Sequence, residues 1–422
     1  MNVQGIDVES EVRSYCRSYP ATFSRATSAF MVSETGERYL DFLSGCGALN
    51  YGHNNVHLKS VLMDYLSADG IALGLDLKTG AKNAFVEAFS NLILGPRSLP
   101  YRIQFPGPTG ANAVEAAIKL ARKVTKRTNI VAFSNAFHGC SLGALALTAN
   151  SYNRESSSPL LTHVDRALYD GYLGSDICTA DILDRQLGDP SGGLDKPAAI
   201  IVEVVQGEGG LNVASRNWLQ KIAAIAAKSG ALFIVDEIQA GCGRTGSFFS
   251  FENYGVVPDI VTMAKSVSGF GLPMSLVLLR PQHDVWSPGE HNGTFRGNNH
   301  AFVTATAALR HYWADEKFEL SVRHKSEVLS DLLGDYCESR PFRPKGLGLM
   351  QGIDVKDPRV ASEVKAEAYR QKIVVELCGP LDEVVKLMPP LTISEEDLVE
   401  GAQRLLAIVD EVFARQTLVS VD

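Results

Sequence analysis

The chain has 422 residues, of which 45% are hydrophobic and 21% charged, the composition of an ordinary globular protein long enough for two or three domains at about 150 residues each. Its 40 basic residues against 48 acidic ones give a net charge of −8, which favours neither nucleic acid nor an anionic membrane surface. The seven cysteines, Cys16, Cys46, Cys140, Cys178, Cys242, Cys337 and Cys378, are scattered, odd in number and never spaced as CxxC, so reduced thiols are expected and a metal site is not. No apolar run approaches the roughly 18 residues of a membrane helix, and Met1–Ser10 lacks the basic and apolar parts of a signal peptide, so a cytoplasmic location is expected.

In chain order, residues 31–43 read as a small hairpin with its turn at Glu34-Thr35-Gly36. The middle of the chain alternates short apolar runs with helical patterns. The strand runs are Asn129–Phe133, Ala199–Val205, Ala231–Val235, Ile260–Met263 and Ser275–Leu279; the helices include Asn112–Lys123 and Trp218–Lys228. Continuous apolar strands between amphipathic helices predict an α/β fold, with a mostly parallel central sheet flanked by helices. In such sheets ligands sit beyond the C-terminal strand ends. Ser156-Ser157-Ser158-Pro159 reads as a loose surface loop. From about residue 318, charged helices mix with the strands Leu347–Val355 and Ile373–Leu377, which predicts a smaller α+β domain built from both termini. The expected division is 1–60 and 318–422 for the small domain, and 61–317 for the large one.

Four features along the large domain carry chemistry. Gly107-Pro108-Thr109-Gly110-Ala111-Asn112 is a glycine-containing turn feeding a helix, whose free N–H groups can receive a phosphate; an ordinary loop-to-helix junction reads the same way. Phe137-His138-Gly139, just past a strand, places an aromatic ring where a flat heterocycle could stack; taken alone, such a pair is more often simple packing. The run Ala231–Val235 ends in Asp236-Glu237, a carboxylate where a ligand's cationic nitrogen could sit; an exposed acidic loop reads the same way. The glycines that follow, Gly241-Cys242-Gly243-Arg244-Thr245-Gly246, match a dinucleotide fingerprint by letter only, because they precede Ser247-Phe248-Phe249-Ser250-Phe251 rather than a helix. Lys265 follows the run Ile260–Met263, where desolvation would lower its pKa and make it nucleophilic towards a carbonyl; most lysines are solvated surface residues, and spacing alone does not single this one out.

In that order and combination, the four features resemble class III aminotransferases, a group of fold-type I enzymes that use pyridoxal 5′-phosphate (PLP). Within the class the chain is most similar to the diaminobutyrate–2-oxoglutarate aminotransferases of the ectoine pathway. The stretches Leu49–Asn54, Asp69-Gly70-Ile71 with Gly74-Leu75-Asp76, Phe105–Gly110 and His291–Asn298 carry that narrower likeness. The resemblance implies a ping-pong exchange between L-aspartate 4-semialdehyde plus L-glutamate and L-2,4-diaminobutyrate plus 2-oxoglutarate. It implies that Lys265 binds the cofactor covalently and that Asp236 pairs with its ring nitrogen. Thr109, Gly110 and Ala111 would hold the phosphate, Phe137 would stack on the ring with His138 beside it, Gln239 would meet the phenolic oxygen, and Glu203 would support that network. Thr294 would reach the phosphate from a neighbouring subunit, making the enzyme a homodimer or dimer of dimers with shared active sites.

For the substrates, the resemblance implies Glu208 as a switch carboxylate that engages a basic residue. Lys386 stands where many class III enzymes carry an arginine, and lysine is a point charge without arginine's planar fork; the diaminobutyrate group shares this lysine. Cys140 stands where some relatives place a basic residue, which makes Arg296 a candidate carboxylate ligand or an interface ion-pair residue. His53-Asn54 lacks the His-Pro common in the class. A paralogue acting on another diamino acid or semialdehyde in secondary metabolism, or an aminomutase on the same fold, also fits these residues.

Overall fold

The computed structural model of the chain describes residues 2–3, 6–155 and 160–419. The loop expected at Ser156–Pro159 lies outside the described residues. A seven-stranded sheet forms the centre of the larger part. Its strands are β1 (Arg102–Gln104), β2 (Ile130–Phe133), β3 (Val164–Ala167), β4 (Ala199–Val202), β5 (Leu232–Asp236), β6 (Ile260–Met263) and β7 (Leu276–Leu279). They lie in the order β1-β7-β6-β5-β4-β2-β3. The run β3-β2-β4-β5-β6 is parallel throughout, and β7 is antiparallel to both of its neighbours.

The continuous apolar runs are explained by burial on both faces. Alternate residues Val131, Phe133, Ile200, Val202, Phe233 and Val235 pack with Trp218, Leu219 and Ile222 of the helix Arg216–Ser229. Their neighbours Ile130, Ala132, Ile201, Ile234 and Ile260 pack on the other face with Val114, Ala117, Ile118 and Ala121 of the helix Gly110–Thr125. A period of two along each strand thus feeds two separate cores.

A third apolar core joins Leu40 and Phe42 near the N-terminus to Leu329, Ile353, Val364 and Leu405 near the C-terminus. It lies around two four-stranded sheets. One holds Phe23–Thr27, Phe30–Ser33, Arg38–Asp41 and Ile373–Val374; the other holds Arg343–Leu347, Met350–Asp354, Val384–Leu387 and Glu376–Cys378. The hairpin turn near Gly36 is present, with that glycine at φ +85°.

Three strand expectations are corrected. The run Ala199–Val205 stops at Val202, and Val205-Gln206 turns away to pair with Asn212-Val213. The stretch Leu347–Val355 straddles a hairpin, because Gly348 takes φ +71° and reverses the chain. Ile373–Leu377 is divided at Val375, with its halves in different sheets.

Arg244 ties these parts together. Its side chain is fully buried and donates to Leu349 O (2.9 Å), Pro389 O (2.6 Å) and Asn50 Oδ1 (2.5 Å). These partners are neutral, and burial alone pushes the guanidinium pKa down to about 9.

Candidate active site

Three adjacent parallel strands end around one cavity. Glu203 follows β4, Asp236 ends β5 and Lys265 lies two residues past β6, all at C-terminal ends, while Phe137 and His138 lie just beyond β2. The cavity measures about 410 Å³. Its walls include Thr109, Gly110, Ala111, Phe137, His138, Glu203, Glu208, Asp236, Gln239 and Lys265. Ten of the thirteen site residues expected from sequence therefore meet in one place.

The phosphate-cup residues open the helix Gly110–Thr125. Thr109 caps it in a reciprocal box, its hydroxyl accepting from Asn112 N while Asn112 Oδ1 accepts from Thr109 N. The Thr109 hydroxyl also donates to Asn112 Oδ1 at 2.9 Å, so that group is engaged in capping. The first N–H groups of a helix have no partner within it, and here those of Gly110 and Ala111 lie at the cavity wall.

Asp236 is buried and held on three sides. Its Oδ1 accepts from Ile238 N (3.0 Å) and from the Thr262 hydroxyl (3.0 Å), and its Oδ2 lies 2.7 Å from His138 Nδ1. Thr262 stands directly beside Asp236 in the parallel register of β5 and β6. Burial opposes a charge on His138, but the Asp236 carboxylate outweighs it and raises the imidazole pKa. Glu203 accepts from Phe137 N at 3.0 Å, and burial pushes its carboxyl up to about 7.

Lys265 takes a left-handed conformation, φ +52°, two residues past the strand. Such strain in a non-glycine residue persists only where its surroundings enforce it. Burial lowers the ammonium pKa, with the positive charge of Lys386 adding to the effect and Glu208 opposing it.

The other wall is a charged cluster. Glu208 Oε1 accepts from Gln239 Nε2 (2.9 Å) and lies 3.0 Å from Lys386 Nζ. Lys386 is fully buried on the strand Val384–Leu387 and also bonds Gly207 O (3.1 Å). Burial disfavours its charge, yet Glu208 and Glu376 raise its pKa well above that of an ordinary lysine. Glu376 Oε2 lies 3.0 Å from Lys386 Nζ, while its Oε1 accepts from the Tyr15 hydroxyl at 2.5 Å and from Cys46 Sγ at 3.6 Å.

Sequence reasoning missed Thr262, Tyr15, Cys46 and Glu376. The signal for Thr262 was a hydroxyl inside the buried run Ile260–Met263. For Glu376 it was a lone acid within Ile373–Cys378. Lys386 stands against the cavity's Glu208 rather than in its lining. Thr294 and Arg296 are not brought to the cavity of their own chain. They lie in the short turn Thr294–Gly297, where Arg296 pairs with Asp76 at 2.8 Å.

PLP needs an anion cup, a carboxylate for its ring nitrogen, an amine for its aldehyde and a partner for its ring oxygen. The cavity offers all four, with Gln239 Nε2, here donating to Glu208 Oε1 (2.9 Å), as the N–H that would meet the ring oxygen. The residues present therefore fit that group. Among the described residues, no group of three or more His, Cys, Asp or Glu is arranged to hold a metal ion, and no helix is long and apolar enough to cross a membrane.

Comparison with known proteins agrees with this chemistry. Residues 14–409 match the family described as aminotransferase class-III. A diaminobutyrate–2-oxoglutarate transaminase of Streptomyces anulatus is 52% identical over 405 residues, covering 96% of each chain. One from Vibrio cholerae serotype O1 is 52% identical over 407 residues, 96% of this chain and 98% of the other. Among solved structures, the ornithine aminotransferase of Toxoplasma gondii superposes with a TM-score of 0.82 at 25% identity, over 94% of this chain and 91% of that one. Its description places PLP at the active site. A Bacillus anthracis aminotransferase, 22% identical over 96% of each chain, shares the fold with a TM-score of 0.85.

Proposed function

Because the chain belongs to the class III aminotransferases, with PLP as cofactor, we propose that it interconverts L-aspartate 4-semialdehyde plus L-glutamate with L-2,4-diaminobutyrate plus 2-oxoglutarate. The observation that carries the reaction type is the convergence of Glu203, Asp236 and Lys265 from three neighbouring strand ends on one cavity. The substrate pair rests on the 52%-identical relatives that bear its name. The lysine at position 386 supports the same assignment.

When bound, PLP supplies an electron sink that stabilises negative charge on the substrate carbon. The amides of Gly110 and Ala111 would hold its phosphate, Phe137 would offer a ring face, and Gln239 would meet its ring oxygen. Asp236, fixed by Thr262, Ile238 N and His138, would set a negative charge against the ring nitrogen. The lowered pKa of Lys265 suits Nζ both to attack a carbonyl and to carry a proton to and from the substrate carbon. Positioned proton transfer of this kind contributes roughly 10²–10⁴-fold in rate. Glu208 closes on Lys386 when the reacting carbon bears no carboxylate, and yields that lysine when it does.

The active unit is a homodimer. Ile71, Leu73, Leu75, Leu77 and Phe295 are exposed apolar side chains on two segments joined through Gly74 N and Gly297 O (2.9 Å). A second copy of the chain would cover them and bring its Thr294 towards this site.

The test is the absorbance of the purified yellow protein before and after adding L-2,4-diaminobutyrate alone. The visible band should bleach and return with 2-oxoglutarate. Bleaching by glutamate but not by diaminobutyrate would overturn the substrate assignment. A protein that binds no PLP would overturn the whole reading.

A further inference from the structure

The phosphate cup and the ring-stacking aromatic come to the cavity on two separate segments, the start of the helix Gly110–Thr125 and the loop 137–141. PLP joins its ring to its phosphate by a short arm, so the two segments must keep one separation to hold it. The near end of the loop is anchored beside the sheet. Phe137 N donates to Glu203 (3.0 Å), His138 N donates to the Thr148 hydroxyl (3.0 Å), and that hydroxyl donates to Gly139 O (3.0 Å).

The far end hangs on a single atom. Glu115 Oε1 accepts from the Ser141 hydroxyl (2.7 Å), from Gly143 N (2.9 Å) and from Ala144 N (3.1 Å). The two amides open the short helix Leu142–Leu147 and have no partner within it. Glu115 itself stands in the second turn of the cup's own helix and does not line the cavity.

We propose that Glu115 is a positioning residue for the cofactor, the tie that sets the separation between the phosphate cup and the Phe137-His138 face. This rests on the aminotransferase reading and extends it to a side chain outside the cavity wall. Two glycines are shaped for the tie. A Cβ on Gly139, which takes φ +128°, would fall 3.0 Å from Ala111 Cβ and 3.2 Å from Ala144 Cβ, so the loop lies directly on a residue of the cup. A Cβ on Gly143 would fall 2.2 Å from Glu115 Oε2, so glycine leaves the carboxylate its room over the amides. A shift of the loop would also reach the ring nitrogen's partner, because His138 Nδ1 lies 2.7 Å from Asp236 Oδ2.

The test compares Glu115→Ala, Glu115→Gln and Gly143→Ala with the wild type, each stripped of cofactor and titrated with PLP. Circular dichroism of the bound cofactor's visible band and melting of the apoenzyme are measured alongside. Glu115→Ala should raise the PLP dissociation constant about tenfold, as for one lost charge-assisted bond, and alter the dichroism per bound cofactor. All three bonds end on one oxygen, which a Gln amide also supplies, so Glu115→Gln should restore most of the affinity and the wild-type dichroism. Gly143→Ala should push the carboxylate off the amides and match Glu115→Ala, and it stands in for that variant should the latter not fold. A merely structural defect would lower the apoenzyme's melting temperature and leave the dichroism per bound cofactor unchanged. That result, or wild-type affinity and dichroism in both alanine variants, would overturn the proposal while leaving the aminotransferase reading in place. A wild-type chain that takes up no PLP would overturn both.

Discussion

Glu203 and Glu237 are neighbours of the site whose carboxyls burial pushes up to about 7. Glu237 is held by Ser250, which donates from its hydroxyl to Oε1 (2.5 Å) and from its N–H to Oε2 (3.0 Å). A carboxyl raised from 4.5 to about 7 binds more proton in the folded chain than in the unfolded one between those two values. Stability should therefore fall as pH rises through that window, by up to about 3 kcal/mol for each such group. Glu237→Gln removes one of the two, so chemical denaturation at pH 5 and pH 8 should show a smaller difference than in the wild type. Equal differences would count against the assignment. Neither elevated carboxyl was legible in the sequence, because Glu203-Val204 and Asp236-Glu237 look alike whether they face solvent or core. Asp236 and Lys265 each stand at the end of an apolar run, but spacing alone did not single them out; they became legible only in combination with the Gly107–Asn112 turn and Phe137, through the family resemblance.

The turn Gly207–Gly210 shows how an element serves the site. A Cβ on Gly207 would fall 1.7 Å from Gln239 Oε1 and 2.6 Å from Met350 Cε, and one on Gly209 would fall 2.0 Å from Asn135 O. The glycines let Glu208 approach both Gln239 and Lys386. Gly207→Ala should displace Gln239 and Glu208 by about 1 Å and lower kcat/KM on the order of 10²-fold, with the protein still folded and yellow; activity near wild type would show that the turn adapts. The same scale explains what the sequence hid. β1 and β3 escaped notice because they lie at the sheet edges and carry Arg102, Asp165 and Arg166, so no apolar run marks them. Conversely, Ile373–Leu377 is one apolar run by letter, yet it serves two sheets, and only tertiary pairing decides where it divides. The helices Gly110–Thr125 and Arg216–Ser229 extend each expected span by one or two residues, since their caps Thr109 and Ser215 lie outside the apolar stripe.

For the whole molecule, the apolar surface at residues 71–77 and 295 argues that the working unit is larger than one chain. Sedimentation should report a dimer, and Phe295→Asp should shift it towards monomer and weaken cofactor retention, since Thr294 adjoins the same surface. A monomeric wild type with full activity would refute the shared-site arrangement. Within one chain, the fully buried Arg244 bears on how such an enzyme accommodates two unlike substrates. Its three bonds run to Asn50, Leu349 and Pro389, segments far apart in sequence. Hydrogen bonds to a charged group contribute about 1.5–3 kcal/mol each, and rotating the two halves apart would strand a cation away from both water and acceptors. The halves are in effect riveted. If Glu208 is the switch proposed above, accommodation then falls to the smallest part able to move, the carboxylate on the Gly207–Gly210 turn, and substrates are selected by a lever rather than a jaw.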